Sequence, residues 1–135
     1  MAAPDIKPHV DAVTAALVNG GLVVGDGGAP PAASIPSTGI YVALYVDPGQ
    51  SLPESLADQR TDFALTFQVT AVGPTAEKCR WATQRVRMAL HAPLTVSGRT
   101  AWRPEELGGP PMQRDDDVSP PLYYLPVQYR LQSTA

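Results

Sequence analysis

A single cysteine, Cys79, is all the thiol chemistry in this chain, so neither an internal disulfide framework nor a multi-cysteine zinc site can form. Histidine is almost as scarce: His9 and His91 stand far from each other and from Cys79, with no recognised metal-ligand spacing. There is no Gly-x-Ser-x-Gly, and nothing marks a serine that either histidine would activate. No stretch approaches the roughly 18 apolar residues of a membrane span, so no membrane partner is expected. The opening MAAPDIKPH lacks the charged-then-apolar pattern of a signal peptide, which points to synthesis in a reducing cytoplasm. Charged residues make up only 17%, with a net charge of -3, and the clustered basic excess of a nucleic-acid binder is missing. Phosphate cradles fail as well. Gly25, Gly27 and Gly28 are followed by Pro30 and Pro31 where a helix should begin, and Gly73-Pro74-Thr75 lacks the GxxxxGK[ST] loop. In DDDVS (115–119) an EF-hand would need Gly and Glu where Pro120 and Pro126 stand. The expectation is a non-enzymatic protein with no metal, no cofactor and no sequence-specific nucleic-acid partner.

What is present suits one compact domain over residues 1–135. A chain of this length can bury roughly two-thirds of its unfolded surface, and 44% hydrophobic residues are enough for a core. Fifteen prolines and eleven glycines punctuate it. Ile6, Val10, Val13 and Leu17 form one helical stripe, with Asp5 as N-cap and Asn19-Gly20-Gly21 as the stop, which predicts a helix over about 5–18. LVV (22–24) reads as a short strand, and IYVALYV (40–46) as a continuous, well-buried one. DFALTFQVTAV (62–72) alternates cleanly and predicts a long strand with one face on a core. Thr75 then caps a second helix reaching about residue 91, before Pro93. LTVSGRTAWR (94–103) reads as a hairpin about Ser97-Gly98 or as one strand with a glycine bulge. LYYLPVQYRLQ (122–132) closes the chain as a strand in which Pro126 points to an edge or a bulge. Loops 25–39, 47–61 and 104–121 are expected to be extended or mobile, the second with one helical turn. The expected class is α+β: a two-layer sandwich with both helices on one face of a mostly antiparallel sheet of about 4–5 strands.

The second helix carries the most information. At about 100° per residue, Cys79, Ala82, Val86, Ala89 and Leu90 share one face, with Ala76 and Thr83 at its border. That face belongs on the sheet, so Cys79 is read as packing. Trp81 and Met88 fall on the opposite face, flanked by Lys78 and Arg85 on one side and Arg80 and Arg87 on the other. An aromatic and a methionine framed by arginines read as an interface hot spot, unless a loop of the same chain folds over Trp81. Charge is unevenly placed too: residues 1–73 carry two basic and seven acidic groups, a net of -5, and residues 74–135 carry eight and six, a net of +2. Unlike-charged halves favour head-to-tail contact between identical chains. The acidic triplet Asp115, Asp116 and Asp117 is read as a solvated loop segment or an ionic contact to a neighbouring subunit.

DIKPHVDAVTAALV leading into a glycine-rich loop, the early strand IYVALYVDPG and the strand-turn-helix FALTFQVTAVGPTAEKCRWATQRVRMAL come in a telling order. PLTVSGRTAWR, a polar loop and LYYLPVQYRLQ follow. Together they resemble the tail terminator, or tail-completion, proteins of long-tailed bacteriophages, over nearly the whole chain. The resemblance lies in element order and hydrophobic pattern, so no functional residue is carried over from it. It implies a virion structural protein at the head-proximal end of the tail, assembled in the host cytoplasm. It implies a ring, usually of six subunits, that caps the tail tube, stops its polymerisation and meets the head connector. Its expected partners are other copies of itself, the major tail tube protein and the head connector or head-closure protein. A head-closure or head–tail joining protein is the alternative. A small anion-binding domain using the arginines of helix 75–91 is a further one, and nucleic-acid contact through that helix is a third.

Overall fold

The computed structural model describes residues 4–52 and 62–135. Helix α1 spans Ile6–Asn19 and α2 spans Ala76–Ala89. The strands are β1 (Val24–Asp26), β2 (Tyr41–Val46), β3 (Gln50–Leu52), β4 (Asp62–Gly73), β5 (Thr100–Ala101), β6 (Glu105–Gly108), β7 (Gln113–Asp115) and β8 (Leu122–Thr134). The expected helices and the three principal strands are present. The helical turn expected within 47–61 falls outside the described residues beyond Leu52.

The α+β class holds, but the sheet has eight strands among the described residues, not four or five. Its spine is the antiparallel pair β4 and β8, in register from Phe63↔Ser133 to Gly73↔Tyr123. On the outer edge of β4 lie β2 and β3, with β1 parallel to β2 beyond them. On the outer edge of β8 lie β5, β6 and β7. The uncounted strands are two to four residues long and mostly exposed, so they carry no hydrophobic period to read.

The sheet overturns three expectations. The stretch 104–121 is not a bare loop, because β6 and β7 both pair with β8. Nor is β8 an edge strand. Pro126 sits between the stretches that pair with β6 and β7, where its missing N–H breaks no ladder bond. The crossing chain runs so close there that a side chain on Gly109 would strike the Pro126 carbonyl. The hairpin about Ser97-Gly98 is also absent: Gly98 turns at φ 72 and only Thr100–Ala101 pairs, with β8.

One hydrophobic cluster joins both helices to one face of the sheet. Ala12, Val13 and Leu17 of α1 and Ala82 and Val86 of α2 meet Val42, Leu44, Phe67, Val69, Tyr129 and Leu131. Phe67, Leu17, Leu44, Leu65 and Leu131 are fully buried, each worth roughly 1.5–3 kcal/mol of transfer free energy. The Phe67 and Tyr129 rings stack at 5.6 Å across the β4–β8 register. Burial pushes the Tyr129 hydroxyl up to about 12. The helices cover this face alone, and the other face carries Tyr41, Tyr45, Gln68, Thr70 and Tyr124 at alternate register positions.

Candidate functional site

The strand-turn-helix from β4 into α2 is fixed by local chemistry. A Cβ on Gly73 would lie 2.8 Å from the Cys79 amide nitrogen, so only glycine lets the helix start this close to the strand end. Thr75 accepts from the Lys78 amide at 3.1 Å, and Glu77 lies in the positive first turn. Cys79, Ala82, Thr83 and Val86 are buried, so the helix is rotated as its apolar spacing predicts. The Cys79 thiol reaches the Ala71 carbonyl at 3.4 Å, and burial pushes it up to about 11, the character of an inert core group.

That rotation turns Trp81 and Met88 outward, 47% and 59% exposed. Among the described residues no loop covers Trp81. It instead forms one wall of a groove of about 740 Å³, whose apolar lining includes Leu22, Val23, Pro36 and Ile40, with Glu77 and Lys78 also lining it. The Arg85 guanidinium lies 5.2 Å from the Trp81 ring, a cation–π distance. Its Nε is sealed from solvent without a hydrogen-bond partner among the described residues.

The two arginines on the other flank behave differently. Arg87 grips Glu106 on β6, Nε to Oε1 at 2.8 Å, and also donates to Gln84 at 3.2 Å. It therefore fastens α2 to the β6 edge. Arg80 is exposed and borders a second depression with Arg87, Thr83 and Gln84. Arg80 and Arg87 thus share a concave surface, as an anion clamp requires, but the Arg87 guanidinium is already engaged by Glu106.

The acidic triplet lies elsewhere. Asp115 ends β7 opposite Leu122, which shares its face with Tyr124, so it stands on the side of the sheet away from the helices. It accepts from the Asp117 amide at 3.0 Å, and Asp116 pairs with Arg114 at 2.7 Å. The nine residues singled out from the sequence thus fall in two places: Lys78, Arg80, Trp81, Arg85, Arg87 and Met88 on the outer helix layer, and Asp115 at the open face with Asp116 and Asp117 directly after it in the chain. Tyr45, 43% exposed, shows that IYVALYV is buried mainly on one side, and with Tyr41 and Tyr124 it lines a small depression beside Asp115. The alternate spacing of the two tyrosines in that strand was the available signal.

A buried polar cluster escaped sequence reading. His9 is wholly buried, with Nδ1 donating to the Asp5 carbonyl at 2.7 Å and Nε2 accepting the Ser133 hydroxyl at 2.6 Å. Arg99 Nε donates to the same oxygen at 2.8 Å. The pair has the atoms of a Ser–His dyad, but Ser133 is 1% exposed and its oxygen is held by a cation. It ties α1 to the end of β8.

Among the described residues no three His, Cys, Asp or Glu side chains come together as a metal site. No described helix is long and apolar enough to cross a membrane.

No family model and no curated protein matches this chain. Solved structures do. A chain from the virion of a native gene transfer agent particle matches with a TM-score of 0.55 at 21% identity, over 94% of this chain and 88% of that one. A second solved protein, known by a sequence identifier alone, matches with a TM-score of 0.55 at 16% identity, over 97% of this chain and 96% of that one. At these identities the likeness is one of fold, and it spans nearly the whole molecule in both cases.

Proposed function

We propose that this chain is a non-enzymatic structural protein of a phage-type virion, a tail terminator that closes into a ring at the head-proximal end of the tail. The ring, of six copies in this reading, caps the tail tube, stops its growth and presents a surface to the head connector. The observation that carries the reading is the fold likeness to a chain of a gene transfer agent virion, over 94% of this sequence. Its element order is also the one by which the sequence resembles tail terminators. Two surface features support assembly. The outward Trp81–Met88 ridge is large, apolar and framed by cations. The acidic triplet begins at Asp115, on the other side of the sheet, and two unlike surfaces are what a head-to-tail contact uses.

A head-closure or head–tail joining protein is the alternative, since the likeness is to a virion chain and does not specify its station. An enzymatic reading has less support, because His9 and Ser133 are sealed in the core and Arg87 is engaged by Glu106.

Native mass spectrometry and negative-stain electron microscopy test the proposal directly. Closed rings are expected, alone or on purified tail tubes, with tube growth halted where a ring is added. A strict monomer at high concentration, with tube protein present, would overturn it. Rings that bind the connector and ignore the tube would favour the head-closure alternative.

A further inference from the structure

Resting on the ring reading, we propose that the groove beside Trp81 receives the Asp115–Val118 turn of a second copy of this chain. The groove is apolar along Leu22, Val23, Pro36 and Ile40, its lining also holds Lys78 and Glu77, and Arg85 lies 5.2 Å from the ring of its Trp81 wall. Among the described residues Glu77 is the one acid in its lining and Lys78 the one base. A short apolar side chain fits this lining, and negative charge beside it is favoured by the basic run of α2.

The chain itself has such a segment. Val118 is 40% exposed, and it directly follows three aspartates. Residues 113–118 carry one base (Arg114) against three acids, a net of -2, while α2, its Arg87 already paired with Glu106, carries Lys78, Arg80 and Arg85 against Glu77, a net of +2. Unlike charge brings the two surfaces together and sets their register, and burial of Val118 against Trp81 supplies the apolar part of the contact.

The turn is also held ready for insertion. The Asp117 amide donates to Asp115 Oδ1 at 3.0 Å, and Arg114 pairs with Asp116 at 2.7 Å. Asp117 and Val118 are left exposed beyond these bonds. Groove and turn belong to different sides of the sheet, so each copy offers one of each, and the contact repeats head to tail until the ring closes.

Charge reversal and cross-linking of the full chain test this. Lys78→Glu and Asp117→Lys, both at exposed positions, should each raise the concentration needed for half-assembly by roughly tenfold, and the double variant should recover most of it. In a second arm, Thr38→Cys with Val118→Cys should give, on oxidation, a ladder of disulfide-linked oligomers on a non-reducing gel. Wild-type rings whose assembly is unmoved by either reversal would overturn the groove contact and leave the ring reading standing. A fast-migrating cross-linked monomer would overturn it too, since the turn would then occupy the groove of its own chain. Normal rings that lose tube binding on Lys78→Glu would overturn it as well, by giving the groove to the tube protein. Wild-type chain that stays monomeric on tail tubes would overturn both readings.

Discussion

The Asp5 carbonyl can only accept, so His9 Nδ1 carries the proton and donates to it, leaving Nε2 to accept the Ser133 hydroxyl while Arg99 donates to the same oxygen. That arrangement admits a neutral imidazole. Burial is the largest influence and lowers its pKa, the Arg99 charge adds to this, and the Asp5 carbonyl and carboxylate oppose it. An unfolded chain therefore takes up the proton first as pH falls. The stabilisation is whole above about pH 6.5 and is lost as pH drops from there through the folded value, at no more than about 1.4 kcal/mol per unit. Urea unfolding at pH 7.5, 6 and 5 should show this slope, and His9→Gln should flatten it; equal slopes in both proteins would refute the assignment. Ser133→Ala strands Nε2 and should cost about 1–3 kcal/mol at pH 7.5. Cys79 makes a contrasting case. With its thiol raised to about 11 and wholly buried, it should resist a thiol reagent at pH 8 until the protein unfolds. Prompt labelling of the folded chain would mean that α2 opens readily.

Helix α2 is where the sequence was most legible and where it stopped being so. Its burial follows from the spacing of Cys79, Ala82 and Val86, because a long element with one face on a core must show its period. The same reason made β4 and α1 readable. The element β6 was not, because its burial is backbone pairing with a mostly exposed surface, and its anchor is one ion pair from Arg87 to Glu106. Ser133 and His9 are likewise 124 positions apart, beyond the reach of any local pattern. Two substitutions separate the helix's inner and outer roles. Val86→Ala removes methyl groups from a sealed site and should lower stability by about 1–3 kcal/mol in calorimetry. Trp81→Ala, on the exposed face, should leave the melting temperature nearly unchanged and weaken assembly by on the order of 2 kcal/mol per contact. If Trp81→Ala instead melted the chain, the groove would be core and not contact surface. Glu106→Ala should cost at most about 1 kcal/mol, because its partner side chain is 50% exposed.

Across the whole molecule the charge is divided by position, net -5 before residue 74 and +2 after it, but the fold redistributes that division. It sets the basic run of α2 on the outer helix layer and starts the acidic triplet at the end of β7, with Asp115 on the other side of the sheet. A molecule with unlike charge on two sides attracts copies of itself in one sense of rotation, and its apolar ridge holds what the charge has oriented. The two contributions answer differently to salt. Near 0.05 M ionic strength the charged surfaces attract over more than 10 Å, and near 0.5 M the Debye length shrinks to about 4 Å. Assembly followed by light scattering should accordingly slow by roughly tenfold or more between these conditions, through the association rate. Dissociation of rings already formed should change much less, since Trp81 and Met88 are insensitive to screening. Sulfate, which strengthens apolar burial, should hold rings together even while it slows their formation. An association rate indifferent to salt would mean that the charged surfaces of α2 and the 115–117 turn do not meet in the ring.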